Sequence, residues 1–172
     1  MLKKIMIVCG VVIIGLVAIG FALPGDYHAE ASLEIPAPVS KVHATVNNLE
    51  TWGRWGPWNA EDPSITTTIS QASGVGAAQE WTSGAGKGRL VFTEVDPAKG
   101  IAYDLFFEGF PPAKAAFRYE SAGPDRTLVT WTMDGSLEDP VSAGYMALLM
   151  GGAISSSFQT GLQNLADYVG TD

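Results

Sequence analysis

The chain has 172 residues, of which 47% are hydrophobic and 16% charged, and its formal net charge is −8. After the first 24 residues, eight Lys and Arg stand against 18 Asp and Glu, so this remainder carries a net charge of −10. The acidic balance argues against nucleic acid as a partner, because phosphates call for basic patches, and it argues against docking on anionic lipid by charge.

The N-terminal segment is the first predicted element. Residues 5–23 form a run of 19 apolar or small residues without a charge. As a helix the run would reach about 28 Å, close to the ~30 Å hydrocarbon thickness of a bilayer. Because Lys3 and Lys4 precede it, the N-terminus is expected in the cytoplasm. The sequence therefore predicts an anchor in residues 1–24, crossing the cell membrane once, and one domain in residues 25–172 on the extracytoplasmic side.

Two alternatives remain for this segment at the level of sequence. A cleaved secretory signal is one, since Ala29-Glu30-Ala31 offers a weak cleavage pattern, although signal cores usually span only about 7–15 residues. A buried core helix is the other, although the run has no polar face. The single cysteine, Cys9, lies within the run, so no disulfide can form inside the chain.

The rest of the chain reads as one strand, one or two helices, six strands and a long helix. Residues 27–35 alternate between apolar and polar side chains, which is typical of a half-buried strand. Residues 38–49 have helical spacing. Six strands follow, each bounded by Gly or Pro punctuation, at residues 65–73, 77–82, 87–96, 100–108, 113–122 and 127–136. Residues 140–169 carry an apolar helical stripe that Gly151-Gly152 is expected to bend or interrupt. The short links favour an antiparallel meander covered by the last helix, an α+β fold.

The strand alternations predict an inner face rich in large rings. Tyr103, Phe117 and Trp131 fall on that face with aliphatic neighbours, whereas the charged residues fall opposite. Its polar groups are phenol hydroxyls, an indole N–H and Gln79. Such a surface suits either a solid core or a pocket for a hydrophobic ligand, and the alternation does not separate the two.

Several local motifs together indicate a family. They are the segment from Leu33 to Pro38 followed by Val42; Leu49 to Trp52, Trp55, Pro57-Trp58 and Asp62-Pro63; Gly74-Val75-Gly76 with Trp81; Thr127 to Met133; and Phe158, Gly161-Leu162 and Asn164-Leu165. In this order the chain resembles the START-like, helix-grip superfamily (SRPBCC), and within it the polyketide cyclase/dehydrase-like group. One departure is His43, which stands where the family often has a buried aromatic and is expected to be a packed ring.

The resemblance implies a helix-grip fold, in which a seven-stranded curved antiparallel sheet wraps around the long C-terminal helix. Members commonly enclose a hydrophobic cavity there for lipids, sterols, polyketides or other aromatic compounds. It also implies that Trp55 and Trp58 pack the turn at residues 51–59 against the sheet and wall the cavity mouth, while Trp52 is partly exposed. The predicted ligand-binding residues are Trp55, Trp58, Gln79, Trp81, Val91, Tyr103, Leu105, Phe107, Phe117, Tyr119, Trp131, Met150 and Phe158. Of these, Tyr103, Tyr119 and Gln79 are expected to orient the ligand.

No motif in the sequence points to a particular chemistry. The two histidines, His28 and His43, have no cysteine or paired histidine to form a metal site, and no cofactor is expected. Residues 83–88 superficially resemble a P-loop but read as a hairpin turn. Glu80, Asp104 and Glu108 are expected to point away from the inner face, which leaves that face without a general acid or base.

Three functions therefore stand at the level of sequence. The leading one is binding of a hydrophobic small molecule between the sheet and the last helix. An enzyme of the cyclase or hydrolase type is the second, and it predicts an inward acidic residue near a tyrosine. The third is an envelope interaction protein with a filled interior and an exposed apolar patch, for which Phe106 and Phe110 are candidates.

Overall fold

The computed structural model describes residues 2–171, apart from the side chains at both ends of that range. Five helices and seven strands occur within it. In chain order they are α1 (Leu2–Ala22), β1 (Asp26–Ile35), α2 (Val39–Val46), α3 (Leu49–Trp55), α4 (Trp58–Glu61), β2 (Thr66–Gln71), β3 (Ala78–Ser83), β4 (Gly86–Asp96), β5 (Gly100–Phe107), β6 (Ala113–Gly123), β7 (Arg126–Ser136) and α5 (Ala143–Thr171).

All seven strands form one antiparallel sheet in the order β1-β7-β6-β5-β4-β3-β2. Strands β2 to β7 form a meander in which each pairs with the next, and β1 pairs with β7 at the edge of the sheet. Short turns connect the strands of the meander. Gly100, after the turn between β4 and β5, has a φ of +129°, which glycine adopts readily, and a Cβ there would overlap the carbonyl of Phe117 in β6. With α5 packed along β1, the predicted helix-grip architecture and its α+β class are confirmed.

The helix predicted at residues 38–49 ends at Val46, and a second helix begins at Leu49, so of the one or two helices that the sequence left open here the structure has two, followed by the single turn of α4. The chain breaks at Asn48, whose side-chain oxygen accepts a hydrogen bond from the backbone N–H of Glu50 at 3.1 Å and so caps α3. Helix α3 therefore begins at Leu49 and includes the first two tryptophans of residues 51–59. As a result Trp52 and Trp55, three residues apart on a helix, both face inward.

Helix α5 runs without interruption through Gly151-Gly152, so an interruption of the helix there is ruled out. Gly151 has another role, since a Cβ at this position would lie 2.7 Å from the carbonyl oxygen of His28 in β1. One turn later the Ser155 hydroxyl accepts a hydrogen bond from the backbone N–H of Glu30. The absence of a side chain therefore lets α5 lie directly against the edge strand and satisfy part of its backbone.

Helix α1 lies outside the core of the domain. Its apolar side chains are exposed, with exposed fractions such as 71% at Ile14, which excludes the buried core helix considered from the sequence. Among the described residues, one helix is long and apolar enough to cross a membrane, and it spans Lys4–Ala22. Helix α1 touches the domain at the start of α5, where the Tyr145 hydroxyl donates a hydrogen bond to the carbonyl of Leu16 at 2.7 Å.

A neutral aromatic cavity as the candidate ligand site

A cavity of about 370 Å³ lies between the concave face of the sheet, the helices α3 and α4, and α5. Its volume is in the range of about 300–1,000 Å³ that is typical of small-molecule sites. The lining residues are Tyr27, Trp52, Trp58, Asn59, Ile65, Thr67, Gln79, Trp81, Leu90, Tyr103, Leu105, Phe107, Phe110, Pro111, Trp131, Met133, Ser136, Leu137, Met150, Ile154 and Phe158. The interior is therefore not completely filled by side chains.

Most of the predicted ligand-binding residues lie on this wall, namely Trp58, Gln79, Trp81, Tyr103, Leu105, Phe107, Trp131, Met150 and Phe158. Four others do not. Trp55 and Phe117 are fully buried in the core beside the cavity, and Tyr119 lies near His43, 6.0 Å away between ring centroids. Val91 belongs to the other face of β4, because Leu90 and Phe92 are the inward residues on either side of it.

Trp52 occupies the centre of the aromatic cluster. It is only 6% exposed, so the predicted partial exposure is wrong. Its indole N–H donates to the carbonyl of Val46 at 2.8 Å, and its ring contacts five others, those of Trp55, Phe92, Tyr103, Phe117 and Trp131. Trp58 is the exposed member of the segment, at 38%. Trp52 thus lines the cavity from within the core, and Trp58, which was expected at the cavity mouth, lines it as the more exposed of the two.

A stack of three rings forms one side of the cavity. Phe158 of α5 lies parallel to Trp131 of β7 at 4.0 Å between centroids, and Phe117 stacks behind Trp131 at 4.4 Å. This approach requires Gly161, because a Cβ there would lie 2.8 Å from the Trp131 ring and 2.9 Å from Pro57. Helix α5 is consequently held close to the sheet at one end, which leaves the cavity between them toward the other end.

Two further rings lie across glycines of neighbouring strands. Trp81 in β3 covers its cross-strand partner Gly88, and Tyr27 in β1 covers Gly135 in the same way. In each case a Cβ on the glycine would overlap the ring. The two rings can lie flat against the sheet for this reason, and they line the cavity from its two sides.

The Tyr103 hydroxyl is the best-placed polar group of the wall. The Trp131 indole N–H donates to it at 2.8 Å. Since an indole N–H can only donate, the phenol oxygen must be the acceptor, and the phenol's own proton stays available. Among the described residues, no hydrogen bond uses that proton. Burial raises the pKa of the Tyr103 phenol well above its usual range, so the group is a neutral donor at the cavity wall.

The cavity wall is electrically neutral. Among the described residues, those that line it include no Asp, Glu, His, Lys or Arg. Glu80 and Glu108 are exposed and Asp104 is partly exposed on the outer face of the sheet, as the alternation predicts. Nor do the described residues contain a group of three or more His, Cys, Asp or Glu arranged for a metal ion. The arrangement is suited to holding an uncharged molecule.

Outside the cavity, the rings of His43 and Tyr119 pack against each other in the interior. The histidine lies 9% exposed on α2, and its ring meets the edge of Tyr119. Neither the His43 Nδ1 atom nor the Tyr119 hydroxyl has a hydrogen-bond partner among the described residues. Burial lowers the pKa of the imidazole and raises that of the phenol, so both groups are held in their neutral forms. His43 is thus a packed ring, as expected.

Solved structures with the same architecture share little sequence with this chain. The Zhui aromatase/cyclase from Streptomyces sp. R1128 is 14% identical, with a TM-score of 0.65 over 84% of this chain and 93% of that one. A solution structure from Thermobifida fusca is 20% identical, with a TM-score of 0.62 over 84% and 93% of the two chains. DynU16, from the dynemicin biosynthetic locus, is 18% identical, with a TM-score of 0.59 over 84% of this chain. The matched region covers only 47% of DynU16 itself.

Identities this low show a shared fold and nothing finer. Among curated proteins, none is similar to this chain in sequence. A family model does match, however, over residues 27–170, and it describes polyketide cyclase / dehydrase and lipid transport proteins. That range includes the seven strands and α5, apart from the first residue of β1 and the last residue of α5. The chain therefore belongs to the polyketide cyclase / dehydrase and lipid transport family, of the SRPBCC type.

Proposed function

We propose that this protein binds an uncharged hydrophobic small molecule, of the lipid, polyketide or aromatic class, in the cavity between its sheet and α5. The neutral, ring-lined cavity of about 370 Å³ is the observation that carries the proposal. A charged ligand would lose its hydration there without an opposite charge to compensate, and that loss costs several kcal/mol. Apolar surface, by contrast, gains about 25 cal/mol per Å² on burial.

The free proton of Tyr103 refines the ligand class. Its hydroxyl is fixed from behind by Trp131, so it presents one donor in a constant direction. A ligand with a carbonyl or ether oxygen would satisfy this donor, whereas a pure hydrocarbon would leave it unpaired. We infer that the preferred ligand is mostly apolar and carries at least one neutral acceptor, with Gln79 as a second polar contact on the wall.

The proposal is one of binding without turnover. A cyclase or hydrolase of the kind considered from the sequence needs an inward carboxylate near a tyrosine, and the described lining residues include none. An envelope interaction protein was expected to have a filled interior, and the cavity of about 370 Å³ argues against that alternative. Phe110, one of the two residues offered for an exposed patch, is 57% exposed but belongs to the cavity wall.

We also propose that α1 anchors the domain in the cell membrane and that residues 25–172 lie on the extracytoplasmic side. The length and exposure of α1 support a span, and Lys3 and Lys4 support the orientation. The hydrogen bond between Tyr145 and Leu16 also favours a retained helix over a cleaved signal, because it joins α1 to the folded domain.

Native mass spectrometry of the full chain, purified from its own membrane, tests the binding proposal. Leu105→Trp places an indole in the cavity, and Phe106→Trp places one on the outer face of the same strand as a matched control. We expect an additional mass on the wild type and on Phe106→Trp that is lost from Leu105→Trp. An additional mass that persists in Leu105→Trp, or none on any of the three, contradicts the proposal.

A further inference from the structure

The contact between α1 and α5 determines how deep the start of α5 lies relative to a bilayer. A Cβ at Gly20 would overlap the carbonyl oxygen of Val141, so the two backbones touch there. Tyr145 reaches further along α1 to the carbonyl of Leu16, which is about 9 Å from the helix end at Ala22 along its axis. If α1 spans the membrane, the first turn of α5 therefore lies level with its last turns, at the membrane surface.

An apolar surface follows this contact directly. Met146, Leu148 and Leu149 are 47%, 70% and 71% exposed, although they belong to a folded domain. Leu149 is four residues after Tyr145, about 6 Å further along α5. Exposed side chains of this size cost little in lipid and much in water, at roughly 25 cal/mol per Å² of apolar area. Leu148 lines a hollow together with Leu23 and Pro24, the residues directly after α1, and this position points to lipid at the membrane surface as the medium that covers them.

The same surface lies next to the cavity. Met150, which comes directly after Leu149, lines the cavity, and so does Leu137, whose backbone N–H donates to the carbonyl of Gly25 just after α1. A second hollow of about 330 Å³ lies between the end of α1 and α5, with Leu23 and Leu148 in its wall. Tyr27 lines both hollows. The two hollows are thus neighbours that share the Tyr27 side chain.

Electrostatic attraction to lipid headgroups does not explain a contact between this surface and the membrane. Asp139 lies in the turn that leads into α5, and its carboxylate accepts hydrogen bonds from the backbone N–H groups of Val141 and Ser142 and from the Ser142 hydroxyl. These bonds lower the pKa of the carboxyl and direct its charge to the start of the helix. With a net charge of −10 after residue 24, the domain gains nothing from anionic headgroups. The contact is apolar in origin.

We propose that the first turns of α5, through Met146, Leu148 and Leu149, are embedded in the surface of the bilayer that holds α1, and that the cavity opening beside Met150 and Phe110 faces this lipid. The inference rests on the proposed anchor and on ligand binding, and it adds that the ligand is exchanged with lipid. The bilayer is the occupant of the apolar surface.

Depth-dependent quenching in nanodiscs tests the inference. In a Cys9→Ser background, an NBD label is placed by Leu149→Cys on the apolar surface, by Phe110→Cys at the cavity opening, or by Gln159→Cys on an exposed part of α5 about 15 Å further on. With doxyl-labelled phosphatidylcholine, we expect at least threefold stronger quenching at positions 149 and 110 than at 159. Phosphatidylglycerol in the nanodisc should not increase the difference.

Equal quenching at 149 and 159 overturns the inference. Quenching at 149 without quenching at 110 overturns the statement that the opening faces lipid. A label at 149 that is shielded from both doxyl lipid and aqueous iodide overturns the whole inference. That result would indicate that a second copy of the chain, and not lipid, covers the surface. The quenching needs no ligand, so a failure of the binding proposal in mass spectrometry leaves this result unaffected, and the two proposals fail separately.

Discussion

The hydrogen bond between Trp131 and Tyr103 gives a prediction about stability as well as about ligand choice. Tyr103→Phe removes the oxygen that accepts the indole N–H of Trp131, a side chain only 1% exposed. A buried donor left without a partner costs about 1–3 kcal/mol. We expect the free energy of unfolding to fall by that amount, even with no ligand present. The sequence alone, which treats Tyr103 as an orienting group, predicts that this substitution changes ligand selectivity more than stability.

A double-mutant cycle isolates this bond. Unfolding by urea is followed by tryptophan fluorescence for the wild type, Tyr103→Phe, Trp131→Phe and the double variant, each as the full chain in phosphatidylcholine nanodiscs. In the Trp131→Phe background there is no indole N–H to orphan, so Tyr103→Phe should cost at least about 1 kcal/mol less than in the wild type. An equal cost in both backgrounds refutes the reasoning, because the hydroxyl would then stabilise the protein without the bond.

Two further predictions concern the helix approach and the buried phenols. Gly161→Ala should destabilise the protein by about 1–3 kcal/mol in the same urea assay, since its Cβ would press on the Trp131 ring; Gly152→Ala, with open space around it, should be neutral or stabilising by up to about 1 kcal/mol. Equal effects of the two alanines would contradict the packing argument. Burial raises the pKa of Tyr103 and Tyr119 in the folded protein, so above pH ~10 the unfolded chain loses these protons first and stability should fall as pH rises. Unfolding midpoints between pH ~9 and ~11 should fall less steeply for Tyr119→Phe, and an unchanged slope would contradict the assignment.

The fold was largely predictable because its signals are local. Alternation along each strand depends only on which face is buried, and the inward assignment of Tyr103, Phe117 and Trp131 is confirmed for that reason. The turns carry clusters of Gly and Pro, which are typical of strand ends. The exceptions also have local causes. Asn48 caps a helix that the apolar spacing alone would have continued, and Gly151 looks like a helix break when it is a point of close contact with β1.

The cavity wall was less predictable, because it depends on distances between elements. Alternation places both Phe117 and Leu105 on the inner face, yet Phe117 packs behind Trp131 while Leu105 lines the cavity. The wall residues that were missed, such as Leu90 and Met133, have the same pattern as core residues. Wall residues differ from core residues only in the distance between α5 and the sheet at their position. Gly161 makes that distance short at one end of the helix. The signal available in the sequence was Gly161, a glycine in the predicted last helix, which indicates a close approach of that helix to an aromatic ring of the sheet.

The most direct test of the account is to watch the inside of the cavity while a ligand is added. The five methionines include Met133 deep in the wall, Met150 nearer its edge, Met146 on the exposed surface of α5 and Met6 in α1. With ¹³C-methyl methionine in the full chain in nanodiscs, a titration with flavone, a neutral planar ketone, reports each position separately. The account predicts a saturable shift of the Met133 methyl resonance that Leu105→Trp abolishes and Phe106→Trp preserves. Shifts confined to Met146 and Met6, with Met133 unchanged at saturation, would contradict binding in the cavity.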